Sequence, residues 1–222
     1  MGRRALLTTM VALVALFAVR MSAQAPATLK VRLDGGASAQ SGDATSVKAA
    51  PMGKGVHVTG GPGAIVWDPA NTVKGIFSVK GTFTVTKNPE KPTYYGLAFA
   101  ATDLEGYTPA YVYFTISQDG TFQIRHRAGN EVHDMDKSLH FAIKKPDASG
   151  KSVNTLEVQV APTAVSYLVN GAVVDATPTR KGMNSYTEMT DGLVGIRIDD
   201  AIDVQVDGWE VKAPFQLNDR GQ

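Results

Sequence analysis

The chain has 222 residues, of which 43% are hydrophobic and 19% are charged, and its formal net charge is +1. These proportions are typical of a globular protein and exclude a disordered one, and a single all-β domain of this length is ordinary. A net charge this close to zero gives no indication that the protein binds nucleic acid or an anionic membrane. Because the sequence contains no cysteine, disulfides, thiolate nucleophiles, cysteine metal sites and lipid anchors on cysteine are excluded.

The N-terminus has the pattern of a secretory signal peptide, which we predict over residues 1–27. A positively charged start precedes an apolar run, Ala5 to Val19, and small residues follow, with cleavage expected after Ala23 or Ala27. The run is short for a membrane span, so we expect the signal to be cleaved and the protein to be secreted or periplasmic, with no membrane span left. The alternative is an uncleaved N-terminal anchor.

The rest of the chain predicts many short strands and no helix of useful length. Segment 28–54 is expected to be a strand at 28–33 followed by a loop rich in glycine, alanine and serine, and segment 214–222 a tail. Between them, 55–213 alternates apolar and polar residues with frequent turn signals, which predicts a two-sheet antiparallel β-sandwich. The strands predicted there are 55–59, 64–67, 77–86, 94–101, 111–117, 121–127, 139–143, 153–160, 164–169, 172–175, 192–198 and 201–212.

The clearest element is a hairpin over residues 111–127, in which YVYFTIS and TFQIRHR flank the turn QDG. A three-residue loop ending in Gly120 places Ile116 opposite Phe122 and keeps the apolar side chains on one face. A slip of one residue would expose that apolar set, so the pattern fixes the register. On the opposite face the same register sets two cross-strand pairs, Tyr113 with Arg125 and Tyr111 with Arg127.

This second face is our candidate ligand surface. Aromatic rings beside hydrogen-bonding arms are the groups that bind sugars. If strand 94–101 lies beside the hairpin, Gly96 and Ala98 add a floor of small residues. The competing interpretation is plain Tyr–Arg pairing on a solvated sheet. The predicted ligand-binding residues are Tyr94, Tyr111, Tyr113, Gln123, Arg125 and Arg127.

Two dipeptides later in the sequence predict local features of the backbone. Asn170-Gly171 predicts a type I′ hairpin turn. Asp207-Gly208 predicts a β-bulge, because the apolar parity changes there within the last strand. Both tryptophans, Trp67 and Trp209, are assigned to the core.

The C-terminal half resembles the concanavalin A-like lectin/glucanase jelly roll, and laminin-G-like domains are similar. The runs that carry the resemblance are TLEVQV from Thr155, VSYLVNG from Val165, GLVGIRI from Gly192 and IDVQVDGWEV from Ile202. The stretch from Gly60 to Phe77 also looks like secreted bacterial members of unassigned activity. The resemblance, over residues 55–212, implies a jelly-roll fold; it does not select one function, because this fold carries many.

Catalysis and metal binding have weaker support in the sequence. The glucanases of the superfamily use Glu-x-Asp-x-x-Glu, which none of the six glutamates matches. A pair made from Glu131 with Asp134 or Asp136 is the enzymatic alternative. His126 with His133 and these aspartates could ligate a metal, and Asp199, Asp200 and Asp203 could hold calcium, but a solvated loop and a polar turn are the simpler interpretations.

The sequence therefore predicts an exported jelly-roll module that binds a glycan or polysaccharide, without a catalytic residue, metal or cofactor. The alternatives are a glycoside-processing enzyme with an unfamiliar carboxylate pair and a structural envelope protein.

Overall fold

The structure, a computed structural model, describes residues 29–34, 46–179, 187 and 189–214. These residues form two antiparallel sheets of seven strands each, packed face to face as a jelly-roll sandwich. No helix in the described ranges is long and apolar enough to span a membrane. The predicted signal peptide and all but the first residue of the predicted tail lie outside the described residues.

Sheet A has the strand order β1-β4-β13-β6-β7-β8-β9. In that order, its strands are β1 (Lys30–Leu33), β4 (Ala64–Val73), β13 (Gly192–Ile198), β6 (Tyr95–Thr102), β7 (Ala110–Ile116), β8 (Thr121–Ala128) and β9 (Glu131–Leu139).

Sheet B has the strand order β12-β11-β10-β5-β14-β3-β2. In that order, its strands are β12 (Ala172–Pro178), β11 (Ala164–Val169), β10 (Ser152–Val160), β5 (Phe77–Val85), β14 (Ile202–Lys212), β3 (Gly55–Gly60) and β2 (Val47–Met52).

The main core lies between the two sheets. Side chains alternate in and out along each strand, so every second residue of a central strand enters this layer. Phe77, Val79 and Phe83 of sheet B are fully buried there, as are Leu97 and Phe114 of sheet A. Each sheet therefore has an inner face in the core and an outer face on the far side.

The predicted hairpin register is confirmed, with Ile116 opposite Phe122 and a positive φ of 92° at Gly120. The turn at Asn170-Gly171 has positive φ at both residues, 51° and 83°, as a type I′ turn requires. The register shift of the last strand lies between Asp207 and Glu210, so the predicted bulge is confirmed as well.

Two strand predictions are wrong. Residues 47–52, assigned to a loop, form β2 at the edge of sheet B. The strand predicted over 139–143 is absent beyond Leu139; the chain instead forms β9 over Glu131–Leu139, at the edge of sheet A. Both strands lie at a sheet edge and are mostly exposed. Because such strands bury few side chains, they lack the alternation of apolar and polar residues from which strands are predicted, and no signal in the sequence predicts them.

Candidate functional site

The structure brings together the strands that the candidate surface needs. Tyr113 lies opposite Arg125 and Tyr111 opposite Arg127, as the hairpin register predicts. β6 runs antiparallel beside β7 and sets Ala98 next to Tyr113. The predicted neighbourhood of small residues and Tyr/Arg pairs is therefore present on the outer face of sheet A.

The expectation that this face is open to solvent is wrong at its centre. Only 1% of Tyr111 and 2% of Tyr113 is exposed, and Gln123 and Arg127 are buried too. The two tyrosine rings pack together at 5.7 Å between centroids. They belong to a second apolar cluster, on the opposite side of sheet A from the main core: Ile65, Trp67, Ala98, Ala101, Leu104, Tyr111 and Tyr113.

Charged groups are buried beside this second cluster. Asp34, which follows β1, is 2% exposed at its side chain and accepts a hydrogen bond from the Tyr111 hydroxyl at 2.6 Å. Arg197 of β13 contacts the same carboxylate, with Nη2 2.9 Å from Oδ2, and Arg127 ion-pairs with Oδ1. One buried carboxylate thus holds two guanidinium groups and one phenol.

Arg197 extends this arrangement to a second carboxylate. Its Nη2 is 2.8 Å from Oδ1 of Asp199, and Gln123 donates from Nε2 to Oδ2 of Asp199 at 2.7 Å. The Arg197 guanidinium also lies over the Tyr113 ring, 5.1 Å from its centroid. We call Asp34, Arg127, Arg197, Asp199, Tyr111 and Gln123 the buried ion network. Two arginines and two aspartates balance its charge, which is the condition for burying ions.

Arg197 is a neighbour of the small residues of the floor. In the register of sheet A, Arg197 lies between Ile65 of β4 and Gly96 of β6, and Gly195 lies beside Ala98. A Cβ at Gly195 would lie 2.5 Å from the Val66 carbonyl oxygen. The Arg197 guanidinium lies against Gly63, where an added Cβ would be 3.2 Å from both Nη1 and Nη2.

Burial also governs the ionisation of the tyrosines. Desolvation raises the pKa of Tyr111 far above its ordinary value; Arg197 opposes this shift, and Asp34 adds to it. Desolvation likewise raises the pKa of Tyr113. Both phenols remain protonated at neutral pH; the Tyr111 hydroxyl donates to Asp34, whereas the Tyr113 oxygen accepts a hydrogen bond from Arg125.

Part of the outer face remains accessible. The Arg125 side chain is 32% exposed and ion-pairs with Asp134, which is 73% exposed. Tyr94 is half-buried; its hydroxyl is 2.7 Å from Oγ1 of Thr121, and Lys137 Nζ lies 5.4 Å from its ring centroid. We call these five residues the accessible patch. It combines an aromatic ring, two hydroxyl groups, two cations and a carboxylate.

The candidate residues from the sequence therefore divide into two groups. Tyr94 and Arg125 can reach a ligand from solvent. Tyr111, Tyr113, Gln123 and Arg127 lie beneath the surface and hold the strands and charges in place.

The alternative sites do not assemble as the sequence suggested. Glu131 lies 3.6 Å from His133, while Asp134 is held by Arg125, so the two carboxylates have different partners. In the described part of the chain, no three His, Asp or Glu side chains are grouped so that they could hold a metal ion.

The three aspartates proposed for calcium also separate. Asp199 joins the buried ion network, whereas Asp200 pairs with Lys91 at 2.7 Å and Asp203 with His57 at 2.8 Å. Each carboxylate has a different side-chain partner, so no shared calcium site forms from them.

The sequence reasoning missed Asp34 and Arg197, and it considered Asp199 only as a calcium ligand, not as a partner of Arg197. One signal was available: Arg197 is the only charged residue of β13, GLVGIRI, and a charge within a buried strand requires a buried partner. One partner, Asp199, lies only two residues further along the chain, but Asp34 could not be found in this way because it comes from the far end of the chain.

Comparisons with known proteins support the fold. No protein-family model matches the sequence, and no curated protein matches it. Among solved structures, the chain is similar to a Bacillus subtilis protein of unknown function with a galectin-like fold, at 12% identity and a TM-score of 0.60, covering 82% of this chain and 88% of that one. It is also similar to the carbohydrate-binding module CBM66 from Bacillus subtilis, at 10% identity and a TM-score of 0.58, covering 75% of this chain and 92% of that one. At these identities the likeness shows a shared jelly-roll sandwich fold.

Proposed function

We propose that the protein is an exported carbohydrate-binding module of the concanavalin A-like type, which binds glycan on the outer face of sheet A. The observation that carries the proposal is the accessible patch, in which Arg125 lies on β8 and Tyr94 directly precedes β6, beside the buried ion network. The fold, which it shares with a carbohydrate-binding module, supports the same class of ligand.

The chemistry of the patch suits a polyhydroxylated ligand. A sugar ring offers hydroxyl groups that both donate and accept, together with an apolar face for an aromatic ring. Arg125 provides charge-assisted donors and Asp134 an acceptor, and hydrogen bonds to charged groups are stronger than neutral ones. The buried ion network fixes the strands beneath, so little freedom is lost when a ligand binds.

The direct test is binding of the purified protein to immobilised xylan, β-1,3-glucan, arabinan and cellulose. We expect the wild type to be retained on at least one of them and Arg125→Ala to bind it about tenfold or more weakly, because the variant loses a charge-assisted donor. Isothermal titration with soluble fragments of the retained polysaccharide gives the affinity.

Lys80→Ala is the matched control. Lys80 is a strand residue 38% exposed at its side chain and paired with Glu210 at 3.0 Å, but it belongs to sheet B. Its replacement should leave retention unchanged. Equal loss in both variants would place the ligand elsewhere, and a wild type that binds none of the polysaccharides would contradict the proposal.

A further inference from the structure

Tyr107 stands out from the other aromatic residues of sheet A. It lies in the β6–β7 loop, residues 103–109, and 82% of its surface is exposed. The tyrosines of β6 and β7, by contrast, are nearly completely buried. Its ring is therefore largely in contact with solvent.

The loop is tied to β1 by side chains. Arg32 donates from Nη1 to the carbonyl oxygens of Leu104, at 2.9 Å, and Gly106, at 2.8 Å. Lys30 pairs with Glu105 at 2.7 Å. Leu104 is 3% exposed and packs into the second apolar cluster. The residues just before Tyr107 are therefore fixed to the sheet.

Internal hydrogen bonds fix the loop further. Oδ2 of Asp103 accepts hydrogen bonds from the backbone N of Thr108, at 2.8 Å, and from its hydroxyl, at 2.9 Å. The backbone N of Gly106 donates to the Asp103 carbonyl at 3.0 Å. Asp103 has a φ of 53°, a conformation that is strained for a residue other than glycine. The surrounding contacts hold this strained shape.

A ring in this position adds little to folding, because most of its apolar surface stays in contact with water. It suits recognition, because a rigid aromatic side chain offers a large contact area at a low entropy cost. Building on the function proposed above, we propose that Tyr107 is a second contact point for the glycan. The ligand is then an extended oligosaccharide or polysaccharide that reaches from the accessible patch to this loop.

The length of β7 supports an extended ligand. Tyr94 and Thr121 lie beside the end of β7 at Ile116, while the β6–β7 loop joins its other end at Ala110. Six residues of strand span about 20 Å at a rise of about 3.3 Å per residue. A disaccharide is shorter than this, so only a longer chain contacts both ends.

Between the two ends, β6, β7 and β8 pair side by side. Tyr111 and Tyr113 are buried on β7, and Arg125 is accessible between the two ends. The loop is also joined to the β8–β9 turn, because Gly129 donates its backbone N–H to the Pro109 carbonyl at 2.8 Å. The loop is therefore bonded to β1 on one side and to the β8–β9 turn on the other, at the end of β7 away from Tyr94.

The test compares ligand lengths. The disaccharide and the hexasaccharide of whichever panel polysaccharide the wild type retains are titrated calorimetrically into the wild type, Tyr107→Ala and Tyr107→Trp. We expect Tyr107→Ala to weaken hexasaccharide binding about tenfold, the effect of losing one well-placed aromatic contact, and to leave disaccharide binding unchanged. Tyr107→Trp should retain the hexasaccharide affinity, because it keeps an aromatic face.

Val173→Ala, a change at an exposed apolar residue of β12 in sheet B, serves as the control and should alter neither affinity. Thermal unfolding of all variants should be nearly the same as that of the wild type. Equal hexasaccharide affinity in wild type and Tyr107→Ala would overturn this inference and leave the proposed function standing. Equal weakening for both lengths would also overturn it. A wild type that binds no panel polysaccharide would contradict both proposals.

Discussion

The two outer faces of the sandwich are built in different ways. On sheet B, the outer face has ordinary surface pairs, such as Thr82 and Thr155 with their hydroxyls 2.8 Å apart and the half-exposed pair of Lys80 with Glu210. On sheet A, the outer face buries arginines, aspartates and tyrosines in one connected network. The same strand geometry therefore supports a solvated surface on one side and a second packed layer on the other.

The charged residues of the two outer faces differ in how much they contribute to stability. Exposed ion pairs contribute about 0–1 kcal/mol, so the pairs of sheet B can change with little consequence. Buried ions lose their hydration, and removing one partner leaves another charge uncompensated. Substitutions on the outer face of sheet A should therefore destabilise the protein more than those on sheet B, which suits the ligand surface proposed around Arg125 and Tyr94.

The largest expected effect comes from breaking the buried ion network at its centre. Arg197→Met keeps a long apolar stem but leaves the carboxylates of Asp34 and Asp199 without their shared guanidinium. We expect it to lower the free energy of unfolding by about 3–5 kcal/mol, as measured by urea denaturation.

Lys80→Ala on sheet B is the paired measurement and should cost less than about 1 kcal/mol. Similar losses of unfolding free energy for Arg197→Met and Lys80→Ala would show that the two outer faces differ in geometry but not in their contribution to stability.

A smaller effect is expected from removing one hydroxyl on each sheet. Tyr111→Phe deletes the donor to the charged Asp34, and we expect a loss of about 1.5–3 kcal/mol in unfolding free energy. Tyr167→Phe deletes a hydroxyl 3.1 Å from the neutral Thr177, and we expect about 0.5–1.5 kcal/mol. Both tyrosines are almost fully buried, so the two variants differ chiefly in the charge of the partner. A larger loss for Tyr167→Phe would contradict the special role of the network.

The sequence predicted the strands of this network better than the network itself. Alternation on both arms of the hairpin, together with Gly120, determined its register, because only one pairing keeps Phe114 and Ile124 in the core. Alternation also assigned Tyr113 and Arg125 to the outer face. It could not show that this face is covered, since the covering groups come from distant positions, Asp34 after β1 and Leu104 in the β6–β7 loop. Periodicity describes one strand at a time, whereas burial depends on the whole assembly.

The smallest expected effect is a dependence of stability on pH. We assign it to the inner face of β8 and not to its outer face. Arg125 and Arg127 on the outer side stay charged at any ordinary pH. His126, between them, faces inward, and its ring stacks on that of His133 with centroids 6.0 Å apart. Burial lowers the pKa of His126, and the neighbouring His133 lowers it further.

His126 is therefore protonated less readily in the folded state than in the unfolded state. Unfolding takes up a proton as the pH falls below the ordinary histidine value of about 6.5, so stability falls with decreasing pH in that range. We expect the urea midpoint of the wild type to decrease between pH 7 and pH 5, and His126→Leu to reduce this dependence. His57→Leu on sheet B, where the imidazole pairs with Asp203, should not reduce it. An unchanged pH dependence in His126→Leu would mean that other groups, and not the inner face of β8, set the acid sensitivity of the fold.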